Sequence, residues 1–226
     1  MKNVAFFGGS GGLGVEVIQY LKTYLDDTIG NRDKPKYTIK SLGSVDVDLQ
    51  NESEITAYFK HNQNTDVVVI FSNYNYNSFV HKYSTSYDEL DKQISINIAG
   101  VTKCIVEALN VMRINGHGRI ILASSITADR SVMGTAMYAS TKAYYENLVK
   151  TICLENATKD ITANCIQLGY MDGGLMNTLP DTFREKIILD IPCKRLGSTK
   201  EIANALDFLI NNPYINGTTI KLTGGL

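Results

Sequence analysis

The stretch VAFFGGSGGLG, residues 4–14, decides the fold, because a short apolar strand runs directly into a glycine-rich turn. Strand, glycine-rich turn and helix in this order are typical of dinucleotide-binding folds, since glycine lets the backbone approach a pyrophosphate and the helix N terminus presents free N–H groups. The spacing of Gly8, Gly12 and Gly14 differs from the common GxGxxG, and a purely structural turn is the alternative. Beyond the turn, apolar residues recur on one helical face at Leu13, Val17, Ile18, Leu21 and Leu25.

The remaining chain alternates short apolar strands with longer helices. Such alternation predicts a parallel sheet with helices on both faces, an α/β fold with one doubly wound, Rossmann-type domain over residues 1–226. The helix predicted at 87–112 is apolar on all sides, so we expect it to be mostly buried. The other predicted elements are strands at 37–42, 67–72, 119–124, 162–169 and 219–224 and helices at 138–157 and 201–211.

The composition excludes several classes of protein. With 44% hydrophobic and 20% charged residues and a net charge of −1, the chain can bury a core and lacks the basic excess of a nucleic-acid binder. No apolar run approaches the roughly 18 residues of a membrane span. Four cysteines without a CxxC pair and three scattered histidines predict reduced thiols, a cytoplasmic protein and no metal site.

The least regular stretch of the sequence is 171–198, which holds Gly173, Gly174, Pro180 and Pro192. A long irregular segment inside a compact domain is often a functional lid. We therefore predict a substrate lid at about 171–198.

The strongest chemical signal is the pair Tyr138 and Lys142 in YASTK, which share one helical face at a spacing of four. Ser125 ends the strand RIILASS, at the sheet edge where ligands bind in open α/β folds. A nearby ammonium favours the phenolate and lowers the tyrosine pKa from about 10, so the phenol can exchange a proton near neutral pH. An isolated YxxxK fits an exposed helix face, but its combination with Ser125 and the glycine turn favours a catalytic centre.

On these motifs the chain resembles the short-chain dehydrogenase/reductases over nearly its whole length, and most of all the 3-oxoacyl-carrier-protein reductases. The resemblance implies hydride transfer between a nicotinamide and a carbonyl carbon, with Tyr138 exchanging the proton on the substrate oxygen. It also implies that Lys142 lowers the tyrosine pKa and holds the nicotinamide ribose and that Ser125 positions the oxygen. Asn97, in SINIAG, is implied to support a water that connects Lys142 to solvent.

The same resemblance and the strand ends indicate which residues hold the cofactor. Asp48, in DLQNESEI, matches the acid that contacts the adenine, although the sequence alone equally allows it to be the N-cap of a helix beginning near Glu52. The full predicted set is Gly8, Ser10, Gly11, Gly12, Leu13, Gly14, Lys40, Ser41, Asp48, Leu49, Ser72, Asn73, Tyr138, Lys142, Gly169 and Met171.

The chain departs from the family pattern in four respects, all expected around the cofactor. Phe7 replaces the threonine before the glycine motif, and Asn73 stands where the usual NNAG ends in glycine. Leu168-Gly169 replaces PG, and Gly173 replaces the threonine that normally contacts the carboxamide. The gap between Leu42 and Asp48 is too short for the helix that the family usually places between its second and third strands.

The choice between NADP(H) and NAD(H) depends on charge near the adenosine ribose. An acid at the end of the second strand would bind a 2′-hydroxyl and repel a 2′-phosphate, whereas Lys40 and Ser41 favour a phosphate. Gly11 occupies a turn position at which NADP-preferring relatives often carry a basic residue. NADP(H) is favoured and NAD(H) remains possible.

Three functions stay open at this point. The first is reduction of a 3-oxoacyl thioester or similar ketone in lipid, polyketide or secondary metabolism, which the apolar side chains of 175–196 favour. The second is a sugar or sugar-nucleotide dehydrogenase or reductase. The third is a cofactor-sensing protein without turnover, and the complete set of four catalytic residues argues against it. The resemblance also predicts a homo-oligomer, a tetramer or dimer.

Overall fold

The computed structural model describes residues 1–28 and 36–226, and the side chain of Leu25, predicted on the buried face of the first helix, lies outside the described part. The strands are β1 (Lys2–Phe7), β2 (Tyr37–Leu42), β3 (Val67–Ile70), β4 (Gly118–Ser125), β5 (Ile161–Leu168) and β6 (Thr219–Leu222). The α-helices are α1 (Gly12–Thr28), α2 (Glu52–His61), α3 (Tyr87–Gln93), α4 (Val101–Asn115), α5 (Ala136–Asn156), α6 (Asp181–Asp190) and α7 (Thr199–Asn211). Short helical turns cover Val80–Thr85, Ile94–Gly100, Ile126–Ala128, Ala157–Lys159 and Gly174–Thr178.

The six strands form one parallel sheet in the order β2-β1-β3-β4-β5-β6, which confirms the predicted Rossmann-type fold. From β1 the chain first moves outward to β2 and then returns to β3 on the other side of β1. In open α/β sheets a ligand binds beyond the carboxyl ends of the strands at such a switch point. The end of β1 is Phe7, next to the glycine turn.

Two apolar layers cover the two faces of the sheet. On one face α1 and α7 pack on the sheet through residues such as Val17, Leu21 and Leu206, all at most 1% exposed. On the other face α2, α4 and α5 contribute Phe59, Cys104 and others to a second layer. Each fully buried side chain of this kind contributes roughly 1.5–3 kcal/mol to folding. The doubly wound arrangement is therefore fixed by helices that are apolar on the side facing the sheet.

The helix predicted at 87–112 is present, but the prediction that it is mostly buried is wrong. Within its apolar window 39% of the residues are buried, and Ile114 is 80% exposed. The reason is geometric, because the helix rests on the sheet with one side and leaves apolar residues on the other. Tyr87–Asn115 is long and apolar enough to cross a membrane, and a core helix of a soluble protein meets the same criterion.

The segment after β2 follows the prediction in one respect and departs from it in another. Residues 43–48 form a turn without a helix, as the short gap implied. The next helix, α2, is capped by Asn51, whose side chain accepts from Ser53 and Glu54, so the alternative that Asp48 is the N-cap is wrong. Asp48 lies further back, and its Oδ1 accepts from the Gln50 amide at 2.9 Å.

The stretch at 171–198 is more regular than the sequence indicated, because it contains α6. Its two ends are joined by main-chain hydrogen bonds of 2.7 Å from Asp172 to Gly197 and 2.9 Å from Gly197 to Tyr170. An ion pair between Arg184 and Asp172 links α6 to the first of these ends. The segment is thus a long loop that leaves the end of β5, contains α6, and returns to the end of β5 before α7 begins.

Candidate active site

Helix α5 carries Tyr138 and Lys142 on one face, and β4 ends opposite them. Lys142 is 4% exposed, and its Nζ donates a hydrogen bond of 2.9 Å to the carbonyl of Ala123 on β4. The Nζ also lies 5.4 Å from the centroid of the Tyr138 ring. The predicted pair is therefore brought together at the carboxyl edge of the sheet.

Ser125, the last residue of β4, lies beside the Tyr138 phenol, close enough to lower its pKa. Its Oγ also accepts from Thr127, at 3.3 Å from the amide and 3.1 Å from Oγ1. Thr127 belongs to the short turn Ile126–Ala128, which follows β4 directly. The serine is thus held from its own strand end, at the same sheet edge as Tyr138 and Lys142; its contact with a substrate oxygen stays a prediction.

Burial determines the acidity of the pair. It lowers the pKa of Lys142 to about 8, so the ammonium titrates close to neutral pH. Burial raises the pKa of Tyr138 above its ordinary value, and the neighbouring Ser125 side chain opposes that shift. The sequence predicted a lowered tyrosine pKa; the direction is wrong in this structure because desolvation of the phenol outweighs the favourable contacts.

Asn97 lies fully buried in the π-helical turn Ile94–Gly100, between α3 and α4. Its side chain pairs with the main chain of Tyr74, accepting from the amide at 2.8 Å and donating to the carbonyl at 2.7 Å. Its own carbonyl accepts from the Tyr145 hydroxyl at 2.7 Å. Asn97 therefore joins the segment after β3 to α5; its predicted support of a water stays a prediction.

The glycine turn connects β1 to α1 at the switch point. Gly8 has a φ of +86°, and a Cβ there would lie 2.5 Å from the amide nitrogen of Ser72. A Cβ on Gly14 would lie 2.2 Å from the carbonyl oxygen of Gly8. Ser10, Gly11 and Gly12 are exposed at the start of α1, where the first amides of a helix have no partner within it.

The segment after β3 contains a buried hydrogen-bond acceptor without a donor among the described residues. The Oδ1 of Asn73 is buried and has no hydrogen-bond partner among the described residues. Buried polar atoms are paired in most native structures, so an orphaned acceptor beside a glycine-rich turn fits a hydroxyl-bearing ligand. Together with the exposed start of α1, this agrees with a dinucleotide that runs along the switch point.

The cofactor-binding residues predicted in and after β2 lie in different environments. Lys40 pairs with Asn62 at the end of α2, so its ammonium is committed there. Ser41 lies beside the turn, since a Cβ on Gly9 would lie 2.6 Å from its Oγ. Leu49 is buried, and its carbonyl oxygen would lie 2.2 Å from a Cβ placed on Gly100. Its main chain thus packs directly against Gly100 in the core.

Asp46 is a charged residue that the sequence reasoning missed. Its Oδ2 accepts from the Gly43 amide at 2.7 Å, and a Cβ on Gly43 would lie 2.2 Å from the Oγ of Ser10. The carboxylate therefore stands beside the glycine turn, just past the end of β2. The search for an acid stopped at Lys40 and Ser41, within β2. Extending it past the end of the strand into the turn that follows could have identified Asp46.

The predicted residues beyond β5 form the other wall. Gly169 donates to the carbonyl of Leu222 at 2.9 Å, and Met171 is 5% exposed. Gly173 faces Glu16 of α1, because a Cβ there would lie 3.6 Å from either carboxylate oxygen. Glu16, which sequence reasoning also missed, accepts from Thr199 at 3.1 Å and so links α1 to α7 at this wall.

Phe7 explains one departure from the family pattern. Its ring is 1% exposed and packs against Tyr58 and Phe59 of α2, with centroid distances of 5.6 and 6.2 Å. The side chain faces the apolar layer instead of the turn. A core contact has therefore taken the place of a hydroxyl beside the glycines.

Comparison with known proteins agrees with this geometry. A family model described as Enoyl-(Acyl carrier protein) reductase matches residues 23–226. The 3-oxoacyl-[acyl-carrier-protein] reductase FabG of Rickettsia felis is 29% identical over 97% of this chain and 92% of its own length. The reductase MabA of Mycobacterium bovis is 25% identical over 100% and 92%. Nodulation protein G of a Rhizobium species is 32% identical, but the match spans 60% of this chain and 56% of that protein.

Solved structures share the fold at low sequence identity. A small-chain dehydrogenase in complex with NADPH superposes with a TM-score of 0.84 at 20% identity, covering 99% of this chain and 97% of that one. ElxO with NADP bound has a TM-score of 0.80 at 23% identity, covering 99% and 98%. Sheet order, the position of Tyr138 and Lys142 at the carboxyl edge and the family match lead to one conclusion: the chain is an oxidoreductase of the short-chain dehydrogenase/reductase family, within the group described as Enoyl-(Acyl carrier protein) reductase.

Proposed function

We propose that the protein transfers hydride between NADP(H) and a ketone or secondary alcohol, with a 3-oxoacyl thioester as the favoured substrate. The observation that carries this proposal is the meeting of three side chains at the carboxyl edge of the sheet, with the Lys142 ammonium 5.4 Å from the centroid of the Tyr138 ring and Ser125 at the adjoining end of β4. These groups can polarise a carbonyl oxygen and exchange a proton with it. The group that supplies the hydride is the nicotinamide when bound.

The chain's own residues would act as follows. Ser125 donates to the substrate oxygen and orients it toward Tyr138. Tyr138 is a neutral phenol at neutral pH because its pKa is raised, so it is in the correct state to donate a proton to that oxygen. Lys142, protonated below about pH 8, stabilises the phenolate that results. Because the ammonium of Lys142 reaches from α5 to β4, its charge stays close to the reacting atoms.

Cofactor binding would use both walls of the switch point. The amides at the start of α1 receive the pyrophosphate, and Asn73 accepts from a ribose hydroxyl. NADP(H) is favoured because the structural relatives named above hold NADPH or NADP and because Ser41 lies beside the turn. Asp46 opposes that preference, since a carboxylate repels a 2′-phosphate.

We propose that the loop at 171–198 is a lid and that it selects the substrate. Met176 of this segment is 8% exposed, while Phe183 and Leu189 are 54% and 66% exposed and available to an apolar substrate. The two full-length relatives named above are 3-oxoacyl-[acyl-carrier-protein] reductases. An acyl thioester combines the required carbonyl with an apolar tail. A cytoplasmic homo-oligomer remains part of the proposal.

The test is a substrate panel followed at the absorbance of the reduced nicotinamide. NADPH and NADH are each combined with a 3-oxoacyl thioester, the matching 2-enoyl thioester, a cyclic ketone and a nucleotide-linked keto sugar. We expect the highest kcat/KM for NADPH with the 3-oxoacyl thioester. If the enoyl thioester or the keto sugar is turned over faster, that compound's class replaces the 3-oxoacyl thioester as the proposed substrate. If NADPH binds and no compound is turned over, the proposal that the protein is an enzyme is refuted.

A further inference from the structure

Tyr145 contacts two of the predicted catalytic residues from inside the core. It lies one turn beyond Lys142 on α5 and is fully buried. Its hydroxyl donates to the carbonyl of Asn97 at 2.7 Å. Its ring centroid is 4.8 Å from the Lys142 Nζ, closer than the Tyr138 ring at 5.4 Å.

The contact with Asn97 depends on the π-helical turn. Across Ile94–Gly100 the helix is widened, and the Val101 amide donates to Ile96, five residues back. π-Turns inside α-helices are rare and occur frequently at functional sites. The neighbouring Tyr144 pairs at 2.7 Å with Thr102 in the first turn of α4, and the Thr102 hydroxyl in turn donates to the Ile98 carbonyl at 2.6 Å.

The surroundings of Lys142 show why an aromatic face matters there. The ammonium meets the Ala123 carbonyl from β4, the Cys165 thiol from β5 and the rings of Tyr138 and Tyr145 from α5. Burial raises the pKa of Cys165, so the thiol is uncharged at neutral pH.

The nearby carboxylate on the same helix is engaged elsewhere. Glu146 accepts from Gln167 at 3.0 Å and from Ser124. The π-electron faces of the two tyrosines therefore provide negative potential directly at the buried charge.

We propose that Tyr145 is a positioning residue for the catalytic centre, whose ring keeps Lys142 charged and in place and whose hydroxyl fixes the turn that carries Asn97. The proposal rests on the proposed function in giving Lys142 a part in proton transfer. The contact itself belongs to the chain without cofactor or substrate, so it can be measured separately from turnover.

The experiment measures the titration of Lys142 by NMR in full-length protein with ¹³Cε-labelled lysine, with Lys142→Arg identifying the signal. Tyr145→Leu removes the ring, and Tyr145→Met fills more of the same volume if the leucine variant does not fold. In either we expect the Lys142 pKa to fall by about one pH unit, because the ammonium loses an aromatic face while remaining buried. The alkaline limb of the kcat profile should move by the same amount and kcat should fall roughly tenfold.

Two matched variants separate this role from packing. Tyr145→Phe keeps the ring and loses the hydrogen bond to Asn97, so we expect lower thermal stability with the Lys142 pKa within about 0.3 of wild type. Tyr144→Phe loses only its bond to Thr102 and should leave the Lys142 pKa unchanged. An unchanged or raised Lys142 pKa on removal of the ring overturns the proposal. A wild-type protein that reduces no carbonyl refutes the proposed function, while the NMR titration still decides the ring contact.

Discussion

The proton-transfer half of the site and its adenosine half are defined by different kinds of atoms. On β4 and α5, Ser125, Tyr138 and Lys142 are side chains, each held by contacts within the core. At the turns after β1 and β2, the site consists of glycine backbone and of Asp46, which is exposed. The first half retains every group expected of the family, whereas the second has lost the usual hydroxyl before the turn and the threonine of the opposite wall.

The difference between the two halves has a chemical reason. Proton transfer requires particular functional groups within hydrogen-bond reach, so their loss would abolish the chemistry. A pyrophosphate is held by main-chain amides and a helix N terminus, which many side chains can surround. We therefore expect cofactor binding in the adenosine half to tolerate side-chain changes better than proton transfer does.

Removing the phenolic hydroxyl at Tyr138 gives the largest expected effect. Tyr138→Phe should lower kcat by roughly 10³, because a positioned acid contributes about 10²–10⁴ to such reactions. NADPH affinity, followed by cofactor fluorescence, should change by less than about threefold. Equal losses in affinity and in kcat would show that the two halves do not act separately.

The second prediction concerns stability and its pH dependence. Burial lowers the pKa of Lys142 from 10.5 to about 8, so between these values the unfolded chain binds more protons and stability rises with pH. Lys142→Met should therefore be more stable than wild type at pH 7, by on the order of 3 kcal/mol. The advantage should shrink from pH 8 to 10.5 in urea unfolding curves. A constant difference across that window would refute the buried-charge account.

Changing the glycine turn tests the adenosine half. A Cβ on Gly12 would lie 2.8 Å from the Cα of Gly174, which is backbone and cannot rotate aside. Gly12→Ala should raise the KM for NADPH roughly tenfold, because the lid backbone must move. At Gly11 the nearest atom is 3.4 Å from a Cβ, so Gly11→Ala should have a clearly smaller effect. Equal effects would mean that the lid contact is irrelevant to cofactor binding.

The smallest predicted effect is a shift in cofactor preference. Asp46→Ser removes an exposed carboxylate beside the turn and should raise the NADPH-to-NADH ratio of kcat/KM by about five- to tenfold, since two like charges about 4 Å apart in water repel by about 1 kcal/mol. Asp48→Asn should weaken both cofactors in proportion and leave the ratio unchanged. A ratio that moves with Asp48 and not with Asp46 would reassign the ribose-recognising acid.

The sequence predicted what depends on periodicity and on functional groups. The six strands of the sheet, the turn at 8–14 and the partnership of Ser125, Tyr138 and Lys142 follow from apolar spacing and motif chemistry. These are local properties, and neighbouring residues in the chain determine them.

Contacts between distant segments could not be predicted in this way. The π turn at Ile94–Gly100 and the bond from Tyr145 to Asn97 arise where two helices meet. The raised Tyr138 pKa results from burial, which depends on the whole fold. Asn51, in place of Asp48, caps α2 because it directly precedes Glu52, the first residue of the helix, and its side chain accepts from the Ser53 and Glu54 amides.

The most direct test of the central claim follows the hydride itself. NADPH carrying deuterium on either face of C4 is incubated with the wild-type protein and a 3-oxoacyl thioester, and the product alcohol is analysed by mass spectrometry. We predict one deuterium on the new carbinol carbon from one labelled face only, and none with Tyr138→Phe over the same time. Alcohol without deuterium from either face, or bound NADPH with no alcohol formed, would contradict the assignment.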